Sequence, residues 1–236
     1  MPANLLRTLR PAVGAPEAVL VVFVHAGAYP GIYYQLAARM HGSVEVLVVT
    51  LRPGPATFAG LVGELASLDP RVPRVFAGHS LGGLIAWHAA AAVPVAGLCL
   101  SGVAPPAAAA WRRMSELVRL AHSDLVRHLT VTGAMSAQVL AERSLVDYYV
   151  EAFRTDLAFA VDQLPREVLA TEVPVLTLCG RADQEAPCGR VRRWSAFART
   201  HRHESVEGAH DFGYASRAAA DALAIWCWPG HGTRVP

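Results

Sequence analysis

The stretch A-G-H-S-L-G-G, residues 77–83, stands between the apolar run V-P-R-V-F (72–76) and L-I-A-W-H-A-A-A-A (84–92), whose composition is helical. A serine flanked by small residues where a strand hands over to a helix has the G-x-S-x-G form of a nucleophile elbow. The turn is so tight that the positions two before and two after the serine, Gly78 and Gly82, must be small. Such a turn lifts the Ser80 hydroxyl above the end of a sheet. It also aims the Leu81 amide, at the helix N-terminus, toward an oxyanion forming on a bound carbonyl. The bland alternative is a glycine-rich turn with an incidental serine, and the strand before and helix after favour the elbow.

Outward from the elbow, the same kind of run recurs. A-V-L-V-V-F-V-H (18–25), V-E-V-L-V-V-T-L (44–51), V-P-R-V-F-A-G (72–78), V-A-G-L-C-L-S-G (95–102) and V-P-V-L-T-L-C-G (173–180) are short, rich in valine and leucine, and not alternating. Strands covered on both faces in a parallel sheet read this way. Helical segments lie between them, at Tyr33 to Met40, Ala56 to Leu68 and Leu84 to Ala92, so the pattern is α/β and doubly wound. From Ala104 to about Pro165 no strand-like run occurs. W-R-R-M-S-E-L-V-R-L, S-A-Q-V-L-A-E-R-S-L-V-D-Y-Y-V-E-A-F-R and D-L-A-F-A-V-D-Q-L instead place apolar residues at helical spacing. A structureless loop of that length is improbable in a compact domain, so 104–165 is expected to be a helical insertion capping the strand ends. Its Met135, Tyr148, Tyr149, Phe153 and Phe159 suit either an acyl chamber or ordinary packing.

The chain has 236 residues, 53% hydrophobic and 17% charged, which suits a single globular domain spanning 1–236 with a substantial core. A formal charge of +2 without a basic stripe excludes an electrostatic footprint on nucleic acid. All the basic residues are arginine, which reads as genome bias, so the run Arg190, Arg192, Arg193 is more simply a solvated face than a docking rim. No apolar run reaches membrane-spanning length and no targeting segment is visible, so a protein of the cytoplasm, without membrane contact and monomeric, is expected. Cys99, Cys179, Cys188 and Cys227 form no C-x-x-C pair, and the expectation is buried free thiols, neither disulfides nor metal ligands. The tail W-P-G-H-G-T-R-V-P (228–236) is expected to be loosely attached.

A serine hydroxyl is a poor nucleophile without a base, so a histidine oriented by a carboxylate is required. The chain order of elbow enzymes is Ser, then an acid after a late strand, then His after the last strand. Asp183 follows V-P-V-L-T-L-C-G in R-A-D-Q, and His210 follows H-E-S-V-E in G-A-H-D-F. These are the candidate acid and base. Asp183 as a mere turn residue is the alternative, and Glu185 is the fallback acid. The segment S-G-V-A-P-P after the earlier strand offers no carboxylate. His201 and His203 are expected before the last strand, on the surface, and His25 and His79 beside the site in structural roles. The second oxyanion donor is sought after the first parallel strand, in H-A-G-A-Y, where Ala26 beside Gly27 is the candidate.

Together these pieces resemble the stand-alone type II thioesterases of polyketide and nonribosomal peptide assembly lines, which have the α/β-hydrolase fold. The resemblance runs through V-F-V-H-A-G, P-R-V-F-A-G-H-S-L-G-G, V-E-A-F-R-T-D-L, P-V-L-T-L-C-G-R-A-D and E-G-A-H-D-F. It implies Ser80, Asp183 and His210 as catalytic triad, Ala26 and Leu81 as oxyanion amides, and 104–165 as a mobile lid. The implied substrate is an acyl group on the phosphopantetheine arm of an acyl or peptidyl carrier protein, hydrolysed without metal or organic cofactor. The chain departs from the pattern at Val24, where the family has proline, at Ala28, where it has glycine, and at Asp211 and Phe212, where two aromatics are usual. Rival outcomes are an acyltransferase or cyclase on the same triad, a carboxylesterase, and a non-catalytic binder.

Overall fold

The computed structural model describes residues 5–51, 56–132, 134, 135 and 137–227, and the tail 228–236 lies outside them. Seven strands form one sheet in the order β1-β3-β2-β4-β5-β6-β7: β1 Leu6–Arg10, β2 Ala18–Phe23, β3 Val44–Val49, β4 Arg74–His79, β5 Gly97–Ser101, β6 Val175–Gly180 and β7 His201–Val206. β1 is antiparallel to β3, and the other pairs are parallel. All six residues of β2, of β4 and of β6 are buried, so these non-alternating runs are strands covered on both faces.

The helices are α1 Tyr34–Ala37, α2 Phe58–Ala66, α3 Leu81–Ala90, α4 Ala108–Arg119, α5 His122–Val131, α6 Ala137–Leu140, α7 Arg143–Gln163, α8 Cys188–Val191, α9 Phe212–Ala215 and α10 Arg217–Cys227. Two cores flank the sheet. On one face Val21, Phe23, Phe76 and Leu100 pack beneath α2, α3 and the tilted pair Trp87 and Trp194. On the other Leu20, Val22, Val46 and Leu176 pack beneath α1, α9 and α10. Each such side chain contributes about 1.5–3 kcal/mol on burial. The described residues of the segment 104–165 carry four helices and no strand. α4–α7 occupy it, with a small core of their own at Leu125, Leu129, Met135 and Val150. The chain runs β2 to β3 on one side, then crosses to β4 on the other. Strand order therefore reverses between β2 and β4, and in open α/β sheets the crevice at that reversal is where ligands bind.

Three expectations are corrected. β1 is an additional edge strand, whose L-R-T-L-R shows no long apolar run because half of it faces solvent. His201 and His203 do not precede the last strand; they belong to it, half-buried, and their rings flank Thr177 Oγ1 at 2.9 and 2.8 Å. Cys179 and Cys188 are joined in a disulfide, Cα–Cα 5.2 Å, because the loop after β6 returns α8 to the end of that strand. Cys99 and Cys227 are buried free thiols, as expected. His203 lies beside the bonded pair, its Nε2 3.6 Å from Cys179 Sγ.

Candidate active site

β4 ends at His79 and α3 begins at Leu81, leaving Ser80 alone to turn the chain, at φ 53° and ψ −124°. It is the only described non-glycine residue with positive φ, a conformation that costs on the order of 1–3 kcal/mol. The flanking glycines are forced by backbone contact. A Cβ on Gly82 would lie 2.1 Å from the Phe23 carbonyl oxygen, and one on Gly78 would lie 2.3 Å from the Gly82 oxygen. α3 thereby seats its first turn directly against the end of β2.

The expected partners converge on this serine. His210 Nε2 lies 3.0 Å from Ser80 Oγ, and His210 Nδ1 lies 2.8 Å from Asp183 Oδ2. A carboxylate can only accept, so Nδ1 carries the proton toward Asp183 and Nε2 is left to accept from the serine. Asp183 is buried. Its Oδ1 accepts from the amides of Glu185 and Ala186, both at 2.9 Å, so two loop amides on one oxygen and His210 on the other fix the acid's plane. Glu185 contributes its backbone to that arrangement and its side chain stays exposed.

Beneath the site, His79 Nδ1 pairs with Ser101 Oγ at 2.9 Å, and its ring lies 4.9 Å from that of His210. His25 Nδ1 meets the Tyr33 hydroxyl at 3.1 Å. Burial, then the neighbouring His210, pushes His25 down to about 3 and His79 well below its ordinary value. Both rings stay neutral near pH 7, so a charge arising on His210 meets no second cation beside it.

The H-A-G loop leaves one amide unengaged. Within residues 25–28 the His25 amide donates to Tyr33 Oη, Gly27 to Asp156 Oδ2 at 2.8 Å, and Ala28 to the His25 carbonyl. The Ala26 amide donates to no protein acceptor among the described residues, and neither does the first amide of α3, that of Leu81. Of the five candidate chamber residues, Tyr149 borders the site, its ring 2.9–3.2 Å from where a Gly27 Cβ would stand. Phe153 stacks on Tyr149, Phe159 and Met135 are core residues, and Tyr148 is exposed. Sequence reasoning passed over Asp156, although it falls on the otherwise apolar face of α7 with Val150, Phe153 and Ala160. That single acidic residue in a buried stripe was the available signal.

Comparison with known proteins adds the family. The model of the thioesterase domain matches residues 18–223. Among solved structures the chain is similar to YbtT, a type II thioesterase from the yersiniabactin NRPS/PKS biosynthetic pathway. Identity is 20%, with 96% of this chain and 98% of that one covered and a TM-score of 0.75. It is likewise similar to BorB, the type II thioesterase of the borrelidin biosynthetic cluster, at 25% identity, 95% and 98% coverage and TM-score 0.74. RedJ, a thioesterase of the prodiginine pathway in Streptomyces coelicolor, shares 19% identity over 96% and 94% with TM-score 0.73. No curated protein matches the chain. With the matched span running from the start of β2 into α10 and taking in every residue of the site just described, the chain belongs to the thioesterase domain family and has its α/β-hydrolase fold.

Proposed function

We propose that this thioesterase is a stand-alone type II enzyme that removes acyl groups from the phosphopantetheine arms of acyl or peptidyl carrier proteins, with Ser80, His210 and Asp183 as its triad. The observation that carries the reading is the unbroken hydrogen-bond chain from Ser80 Oγ through His210 to the buried Asp183, set on a strained elbow in a domain of this family. Ser80 Oγ attacks the thioester carbonyl as its proton passes to His210 Nε2, and Asp183 holds the imidazolium that results. The tetrahedral oxyanion is met by the amides of Ala26 and Leu81, which have no competing protein acceptor among the described residues. His210 returns its proton to the departing thiolate, leaving an acyl-serine. Water activated by the same nitrogen then releases the acid and restores Ser80. No step asks for a cofactor.

α4–α7 stand as a lid over the strand ends, and a substrate on a long flexible arm suits a serine reached past such a cover. Similarity to YbtT and BorB supports the carrier-borne thioester as substrate class. A matched series of one short acyl group on a carrier protein, on coenzyme A and on a simple alcohol tests it. The carrier thioester is expected to give the highest kcat/KM, since the remote carrier contributes binding energy used in the transition state. Ser80→Ala is expected to stay folded, lose turnover and lose fluorophosphonate labelling. Preference for the alcohol ester would favour a carboxylesterase, and labelling of Ser80→Ala at the wild-type rate would reject Ser80 as nucleophile.

A further inference from the structure

Asp156 is 2% exposed and comes from the centre of α7, in the covering helices. A carboxyl group in an apolar interior costs free energy unless it is hydrogen-bonded, and an aliphatic residue would pack that helix face more cheaply. Its partner is the Gly27 amide, 129 residues away in sequence, at 2.8 Å. It also borders a small cavity with Phe23, Val24, Leu81 and Ile85, so the same side chain stands beside the elbow and the H-A-G loop.

Tyr149, two helical turns earlier on the same face of α7, lies on the other pole of that peptide group. Its hydroxyl donates to the Ala134 carbonyl at 2.8 Å and lies 3.4 Å from the Ala26 carbonyl, while its ring covers Gly27. The Ala26–Gly27 peptide precedes a glycine at φ 80°, a conformation only glycine adopts freely, and without an anchor such a peptide can rotate. The Ala26 N–H belongs to the preceding His25–Ala26 peptide, which is hinged to this one at the Ala26 Cα, so a shift of the released loop would carry that N–H away from the substrate oxygen.

We infer that Asp156 is a positioning residue for the oxyanion site. From the covering helix it fixes the Ala26–Gly27 peptide, so that the Ala26 amide is presented only while α7 is seated. The inference rests on the proposed thioesterase reaction, and it links the cover to turnover through one hydrogen bond.

The test uses an acyl-N-acetylcysteamine thioester together with amide hydrogen exchange at Gly27. Asp156→Ala is expected to lower kcat by about 10- to 100-fold, less than the roughly 100- to 1000-fold for outright loss of an oxyanion donor because the Ala26 amide is misplaced and not removed, with KM within about threefold and Gly27 exchange at least about tenfold faster. Asp156→Asn keeps an acceptor oxygen, though a weaker one than an ionised group. It should stay within about fivefold of wild-type kcat, with Gly27 exchange raised several-fold. Wild-type kcat or wild-type Gly27 exchange in Asp156→Ala overturns the inference. Should that variant not fold, unchanged exchange and unchanged kcat in Asp156→Asn overturn it instead. A wild-type protein inert on thioesters would count against the proposed reaction, and the exchange measurement would still judge Asp156.

Discussion

Ser80 carries two opposed demands. Its oxygen must stand clear of the sheet within reach of His210, and the backbone that achieves this lies at φ 53°, where a Cβ is crowded and glycine is not. Removing the hydroxyl and removing the strain are therefore separable. Ser80→Ala loses the proposed nucleophile and keeps the crowded Cβ, whereas Ser80→Gly loses both. Strain relief of about 1–3 kcal/mol exceeds the roughly 0.5–1 kcal/mol that glycine's freedom in the unfolded chain takes back. Ser80→Gly should thus be more stable than Ser80→Ala by about 1 kcal/mol, or about 2–4 °C in Tm for a domain of this size, with both variants inactive. A glycine variant melting at or below the alanine variant would mean that the elbow holds Ser80 without strain. Gly78 and Gly82 are different, because backbone contacts at 2.1–2.3 Å would refuse any side chain there.

At the scale of elements, the strands that bury both faces are legible, since β2 through β6 each appear as a short, mostly apolar run without alternation, and the elbow is legible because its glycines have a steric cause. β1 is hidden by its place at the edge, where L-R-T-L-R mixes solvent-facing arginine with two leucines. Asp183 and His210 could be placed by chain order, but Asp156 could not be paired, because its partner is a backbone amide and no side-chain pattern marks one. The Cys179–Cys188 bond was invisible for a related reason. Nine positions separate the two cysteines, and only the return of the chain after β6 brings them together. That returning loop carries Asp183. Closing a loop of this length stabilises the fold by about 2–3 kcal/mol through the unfolded chain. Asp183 is separately held by the Glu185 and Ala186 amides. Reduction by a dithiol, or Cys188→Ser, is accordingly expected to lower Tm by about 5–10 °C while kcat, measured well below the transition, stays within about threefold. A tenfold loss of kcat with unchanged Tm would assign the bond to positioning of the acid instead.

For the whole molecule, the formal charge is +2 near neutral pH with histidine uncharged, and the first groups to respond as pH falls are buried histidines. His25, His79 and His88 are held neutral, His25 near 3 and His88 near 4, each chiefly by burial. In the unfolded chain they titrate near 6.5. Between about pH 6.5 and 4 the unfolded state therefore binds more protons than the folded one, and stability must fall as pH falls. It is fully present above 6.5 and erodes by up to about 1.4 kcal/mol per pH unit for each such group. Asp69, kept near 2 by its hydrogen bonds with Arg71, acts with the same sign but only below its ordinary range, beneath this window. His88 isolates the effect. It lies on α3 about 10 Å along the helix from Leu81, its Nε2 is buried without a hydrogen-bond partner among the described residues, and the proposed reaction does not use it. His88→Leu should retain wild-type kcat and match or exceed wild-type Tm at pH 7.5. Its decline in Tm from pH 6.5 to 4.5 should be visibly shallower than that of the wild type, read by calorimetry across that range. Parallel declines in the two proteins would mean that His88 gains its proton without unfolding the chain, and the acid sensitivity would then rest on the other histidines that burial holds neutral.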